Sequence, residues 1–455
     1  MPPALASVFC IFFILFLSWI ERGDNDGVSR AIWIPFCWMF LAGSRFVSQW
    51  LNVLGIRIST ISAQDIYMEG SPIDMPVFLS LIVASLVVLF RRRLNWREVF
   101  TNNYIMCAFY IFALTSTLWS DYPFISLKRW FKTLGAISMV LVILTEANPY
   151  AAFGVIMRRL AFVLLPLSVL FIKYFPAIGR QFHSVGTQMF VGATTQKNQL
   201  GQLCLLLGVY FFWNLFYVDE KRTDLGRRLR SFMYVIVLAM IAWLLYMSNS
   251  ATSLVCLAAA ILLFLVGQTP LMKRRPERII TFFAVCIVLY VILQLSFDAN
   301  TFLITMLGRR PDLTTRVPMW EELLSMAANP YWGFGWQSFW LGRRGEIMAE
   351  RWAVHSTHNG YLDLYLNLGI IGLVLLFGWV LFGLVKVTRH LALEQQTGLL
   401  CFVFILIVCL YNWTETIDFG VSNMYLLFLF GTIRMPTAVD DVDDTYGPSD
   451  HVPQL

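Results

Sequence analysis

The stretch His358-Asn-Gly-Tyr-Leu-Asp-Leu-Tyr-Leu-Asn-Leu-Gly369-Ile-Ile-Gly372 carries the chain out of its longest non-apolar loop and into an apolar run that continues to residue 385. An imidazole and an amide, His358 and Asn359, stand at the crossing point, where an ionisable group is a functional candidate by default. At about 1.5 Å rise per residue, a run of this length crosses a hydrocarbon core of about 30 Å as a helix. Comparable runs recur at roughly 4–20, 31–50, 76–90, 104–119, 133–146, 159–175, 199–218, 231–247, 250–267, 279–297, 399–413 and 418–433. They are continuous rather than alternating in polarity. That selects helices over a closed barrel, the two structures that satisfy every backbone group in lipid. The sequence therefore predicts an all-α, polytopic membrane helix bundle of about 12–13 spans.

Composition agrees with this reading. Of 455 residues 58% are hydrophobic and 14% charged, with a mean hydropathy of +0.66, too little polar surface to cover a water-soluble globule. The first run, Ala4 to Ile20, lacks a basic leader and a small-residue cleavage site and reads as a retained helix. The eight cysteines lie in or at the edge of apolar runs without metal-ligand spacing, so they read as small packing residues. Four basic clusters, Arg91-Arg92-Arg93 with Arg97, Lys221 to Arg230, Lys273 to Arg278, and Lys386 with Arg389, mark the cytoplasmic side by the positive-inside rule. Counting spans between them puts 176–198, 248–251 and 298–357 on the outer side. Counting back from Arg91 puts the start of the chain outside, so one of the first two runs is a candidate for a re-entrant or interfacial segment. Residues 1–435 then form one transmembrane domain that includes 298–357 as a large outer loop. Residues 436–455, an acidic tail that cannot bury apolar area, read as disordered in the cytoplasm.

The outer loop is rich in arginine, with Arg309, Arg310, Arg316, Arg343, Arg344 and Arg351, and in tryptophan, with Trp320, Trp332, Trp336, Trp340 and Trp352. This runs against the positive-inside trend. An anionic ligand delivered at the outer face would account for it, because a guanidinium stays charged and donates two parallel hydrogen bonds to phosphate.

Five motifs in order carry a family resemblance. Gln196-Lys-Asn-Gln-Leu-Gly201 is followed by Ser248-Asn-Ser-Ala-Thr252, and then by Leu307-Gly-Arg-Arg-Pro-Asp-Leu-Thr-Thr-Arg-Val-Pro-Met-Trp320. Asn329-Pro-Tyr-Trp-Gly-Phe-Gly-Trp-Gln-Ser-Phe-Trp340 comes next, and His358-Asn359 with Gly369-x-x-Gly372 completes the set. Over roughly residues 100–435 the chain resembles the superfamily of O-antigen ligases and Wzy-type polysaccharide polymerases, closest to its exopolysaccharide polymerase branch. It departs from that branch at Val191-Gly192 and Gln196, where an arginine and a histidine are usual, so Arg180, Arg310 or Lys173 are candidates to replace the lost charge.

The resemblance implies a GT-C-like bundle in a bacterial inner membrane with its active site facing the periplasm. It implies a metal-independent glycosyltransferase without a cofactor, working in exopolysaccharide or O-antigen biosynthesis. Its partners would be a polyprenyl pyrophosphate-linked oligosaccharide, membrane lipid and other polysaccharide assembly proteins, and no nucleic acid. His358 is the candidate to orient or deprotonate an acceptor hydroxyl, and Arg316 to hold charge on the leaving pyrophosphate. Arg309, Arg180, Lys197, Asn198, Asn359, Trp320 and Trp336 are candidate substrate-binding residues. Competing structural roles are a helix cap for His358, a salt bridge from Arg316 to Glu321, Glu322 or Asp312, and interfacial anchoring for the tryptophans. His355 with His358 lacks a third ligand at metal spacing. A ligase would use the same reacting groups as a polymerase, whereas a flippase would place its charges near the midplane between repeated halves.

Overall fold

The computed structural model describes residues 1–21, 27–56, 71–182, 186, 188–217, 224–297, 316–327 and 329–435. Arg309, Arg310, Asp312 and the acidic tail lie outside these residues. In chain order the helices are α1 (Pro3–Glu21), α2 (Trp33–Ala42), α3 (Val47–Val53), α4 (Asp74–Arg91), α5 (Trp96–Asn102), α6 (Tyr104–Thr115), α7 (Pro123–Leu144), α8 (Pro149–Tyr174) and α9 (Pro176–Gly179). A two-stranded antiparallel ribbon follows, β1 (Arg180–Phe182) with β2 (Gln188–Phe190), pairing Arg180 with Phe190. Then come α10 (Lys197–Tyr217), α11 (Asp224–Ser248), α12 (Ala251–Gly267), α13 (Pro270–Arg274), α14 (Arg278–Phe297), α15 (Arg316–Ser325), α16 (Arg343–Trp352), α17 (Gly360–Leu393), α18 (Gln395–Thr414) and α19 (Asn423–Thr432).

The helix boundaries follow local chemistry. Asn148 accepts from Ala151 N ahead of Pro149, Ser250 accepts from Ser253 N, and Ser422 accepts from Met424 N, each satisfying an orphan donor of the first turn. Every apolar run of the sequence coincides with helix in whole or in part, yet the expected dozen straight spans are not what forms. Among the described residues seven helices are long and apolar enough to cross a membrane, and up to nine if each bent pair counts as one span. One such pair is α2 with α3, bent by 62° at Gly43 to Phe46, and the other joins α5 to α6 at 92°. The second run is therefore not a straight helix but a bent pair, either a broken span or a re-entrant loop. α19 has only 10 residues, so at about 1.5 Å each it cannot cross alone; Glu415 to Ser422 are non-helical, and the run expected at 418–433 becomes helix only from Asn423.

The buried centre is built by α8, α10, α18 and α19. α17 packs along α18, α12 packs on both α10 and α18, and α1 lies on the periphery against α8. Gly201 makes the α10–α12 approach possible, because a Cβ there would come within 2.5 Å of Ser250 Cβ.

α17 is broken at Gly369, whose φ of 64° and ψ of −164° no helix contains. The break is filled by the loop Asn329 to Trp336. Ile370 N donates to Pro330 O (2.8 Å), Phe334 N to Leu366 O (3.0 Å) and Gly335 N to Asn367 O (2.8 Å), so backbone groups freed by the break find partners inside the protein. A Cβ on Gly369 would sit 2.2 Å from the Tyr331 carbonyl, and one on Gly333 would sit 2.5 Å from that of Asn367. The Gly-x-Gly stretch and Gly369 are two sides of one backbone contact.

Beyond the break, α15 and α16 close over a second apolar core made of Met319, Leu323, Phe339, Trp340, Met348 and Leu366. Burying such side chains contributes about 1.5–3 kcal/mol each, so α15 and α16 are held as a packed cap rather than as open chain.

Candidate active site

The first turn of α17 decides where His358 points. Asn359 is the N-cap, its side-chain oxygen accepting from Tyr361 N and Leu362 N at 3.1 Å each. Thr357 Oγ1 accepts from Asn359 N (3.1 Å) and donates to Asn359 O (2.6 Å). Between them His358 takes a φ of 51°, a left-handed conformation that costs about 1 kcal/mol and is uncommon outside constrained sites. The capping role belongs to Asn359, and its carbonyl oxygen is spent on it. His358 is turned away from the helix axis toward the end of α18.

What it meets there is Glu415, the residue that ends α18. His358 Nδ1 lies 3.4 Å from Glu415 Oε2. On the other carboxylate oxygen, Asn198 Nδ2 donates at 2.9 Å and Arg316 Nη2 stands at 4.0 Å. Arg316 Nη1 donates to the Thr414 carbonyl (3.0 Å), and Thr252 Oγ1 meets Thr414 Oγ1 at 2.7 Å. Glu415 thus gathers Asn198 of α10, Arg316 of α15 and His358 ahead of α17, while its neighbour Thr414 ties in α12. Its own side chain is 13% exposed, against 29% for Arg316 and 35% for His358, so the carboxylate lies beneath while the guanidinium and the imidazole face outward.

Glu415 was absent from the sequence-based candidates. The signal was a lone carboxylate in Asn412-Trp-Thr-Glu415-Thr, between two apolar runs, the kind of residue that is costly at a membrane boundary.

The other predicted residues divide. Lys197 opens α10 one residue before Asn198, half-buried, with no ion pair to a described residue. Trp320 Nε1 donates to the Thr357 carbonyl (2.8 Å) and so braces the segment leading to His358. Arg180 is not brought to Glu415: its Nε donates to Ile172 O (2.8 Å) and its guanidinium lies over Phe190, holding the turn between α8 and β1. Trp336 is a correction. It is 1% exposed and packs edge-on to Phe109 and Phe419, so it offers no face to a sugar. Arg309 lies outside the described residues.

Two of the loop arginines are spent on partners within the protein. Arg344 pairs with Asp121 (2.6 Å) and lies over Phe334, while Arg351 pairs with Glu322. The hydrogen bond from Trp352, together with the Arg351 contact, holds the Glu322 carboxyl below the usual carboxylate range. Among the described loop arginines, Arg316 alone reaches Glu415. Among the described residues, no three His, Cys, Asp or Glu side chains come together as a metal-ligand set.

The O-Antigen ligase family matches residues 235–377, a stretch that includes Arg316 and His358. The chain is also similar to the Exopolysaccharide production protein ExoQ of Rhizobium meliloti (strain 1021), 29% identical over 300 residues. That match covers 62% of this chain, and the chain spans 65% of the length of that relative.

Proposed function

The chain belongs to the superfamily of O-antigen ligases and Wzy-type polymerases, on its exopolysaccharide side, and we propose that it is a membrane glycosyltransferase that polymerises lipid-linked saccharide repeat units. The donor is a polyprenyl pyrophosphate-linked oligosaccharide whose glycan faces the periplasm of a bacterial inner membrane. The acceptor is a sugar hydroxyl on another lipid-linked unit.

The observation that carries this reading is the Glu415 cluster. With Nδ1–H assigned toward the carboxylate, the His358 tautomer is fixed and the Nε2 lone pair is left for substrate. The acceptor hydroxyl oxygen attacks C1 of the donor glycan, and its proton passes to His358 Nε2. The C1–O bond breaks, and its electron pair leaves with polyprenyl pyrophosphate. Arg316 and Lys197, cations at the same end of the bundle, stabilise the negative charge as it accumulates. Holding acceptor and donor together supplies the rest, because the leaving group is already activated.

Incubating the purified protein with isolated lipid-linked repeats tests this. Longer lipid-linked glycans are the expected product. A protein that yields product only when a lipopolysaccharide core is supplied would be a ligase, and one that moves the lipid across vesicles without lengthening the glycan would be a transporter.

A further inference from the structure

A second cationic feature lies beside this site and has no role in the step above. α2 ends at Ala42, whose carbonyl accepts from Gln199 Nε2 (3.0 Å). Gln199 follows Asn198, so the bend between α2 and α3 rests on the same first turn of α10 that reaches Glu415. Gly43 lets the bend pack close against the start of α19, since a Cβ there would lie 2.7 Å from Asn423 Nδ2. On the far side of the bend, Arg45, Gln49, Asn52 and Val53 face Ala177 and Ile178 across a cavity of about 360 Å³.

The lining is unbalanced in charge. Arg45 Nη2 donates to Ile178 O (2.8 Å), its Nε is buried without a hydrogen-bond partner, and among the described residues no carboxylate pairs with it. Gln49 Oε1 already accepts from Phe46 N (2.9 Å), which leaves its N–H groups as what it can offer. A guanidinium with unmet donors in a partly desolvated cavity is unfavourable alone and favours an anion. The flank is apolar and open, with Leu54 72% and Ile56 51% exposed, as suits a ligand whose tail stays in lipid.

We propose that this cavity binds the pyrophosphate of the acceptor, the second lipid-linked saccharide that a polymerase must hold while the first reacts. The proposal rests on the polymerase reading, which requires two lipid-linked chains at one end of the bundle. Arg316 serves the leaving pyrophosphate and Arg45 the retained one. The volume is that of an ordinary small-ligand site.

The test is native mass spectrometry of the full-chain protein in lipid nanodiscs, titrated with polyprenyl pyrophosphate. Wild type should take up two molecules. Arg45→Gln should weaken one of them by about tenfold or more, as expected for losing charge-assisted hydrogen bonds, and Arg45→Lys by less. Arg316→Gln should weaken the other. Two full-strength molecules on Arg45→Gln, or a single molecule on wild type, would overturn the proposal and leave the glycosyltransferase reading standing. Displacement of the Arg45-dependent molecule by phosphatidylglycerol at equal concentration would mark a general phospholipid site and overturn it as well. If Arg45→Gln fails to fold, the wild-type count and that competition decide. Wild type binding none would sink the glycosyltransferase reading itself.

Discussion

Two glutamates organise polar clusters at opposite ends of the bundle, and they are built to different standards. Glu146 lies just past α7, at the end where Tyr150 meets His390. It accepts from Ser29 N (2.8 Å), from Ser29 Oγ (2.6 Å) and from Arg92, and its side chain is 2% exposed. Arg92 is fully engaged too, donating to Val142 O (2.9 Å), Thr145 Oγ1 (2.6 Å) and Ser29 Oγ (2.9 Å). At Glu415 the arginine stands 4.0 Å off and the imidazole 3.4 Å, and both are about a third exposed. Satisfied on every side, the first cluster is a clasp. The second leaves donors unspent at the surface, as a site awaiting an anionic ligand does, and apo contacts of this kind often tighten only when substrate binds.

Changes at the two ends should therefore separate rate from stability. His358→Ala should lower elongation by the purified protein by about 10²–10⁴-fold, the usual worth of a positioned general base, while its unfolding midpoint stays near wild type because Asn359 keeps the cap. Glu146→Gln should do the reverse. Breaking a buried pair by removing one partner costs about 3–5 kcal/mol, read from denaturant unfolding in detergent, with turnover per folded molecule unchanged. A folded Glu146→Gln protein with no turnover would erase the distinction.

A third change probes the link between the loop and the site. Gly369→Ala places a methyl against the Tyr331 carbonyl and demands a positive φ, so about 1–3 kcal/mol should be lost and the loop should come away from α17. Faster proteolysis between α15 and α16 would report it. Elongation should fall with it, since Trp320 and Thr357 position His358 through the same loop.

Much of this was legible in the chain because the signals were local. Continuous apolar runs announce helices, and the order of the five motifs points to Arg316, His358 and Asn198, which the fold gathers around one carboxylate. What sequence left dark was pairing over distance. Arg344 reads as a free cation until Asp121, more than two hundred positions away, is seen beside it. Trp336 reads as an interfacial ring until Phe109 and Phe419 close over it. The break in α17 depends on a loop some thirty residues upstream, and no periodicity within the run encodes it. Glu415 was the nearest miss, visible as an isolated charge but without a neighbour in sequence to suggest its use.

The smallest effect is the most discriminating. Arg316→Lys keeps the charge and removes the fork, so the two readings of Arg316 part company. As a structural tie it needs only one donor for the Thr414 carbonyl, which an ammonium can supply, and nothing measurable should change. As a pyrophosphate ligand it must hold that carbonyl and the substrate together, which a single ammonium does less well. KM for the lipid-linked donor should then rise about tenfold with a smaller change in kcat, the pattern of weakened binding. Arg343→Lys is the control from the same loop, since Arg343 is 73% exposed and pairs with Glu346 within its own helix. Equal, negligible effects at both positions would return Arg316 to the class of structural residues and make the open cluster at Glu415 no more than a loose copy of the clasp at Glu146.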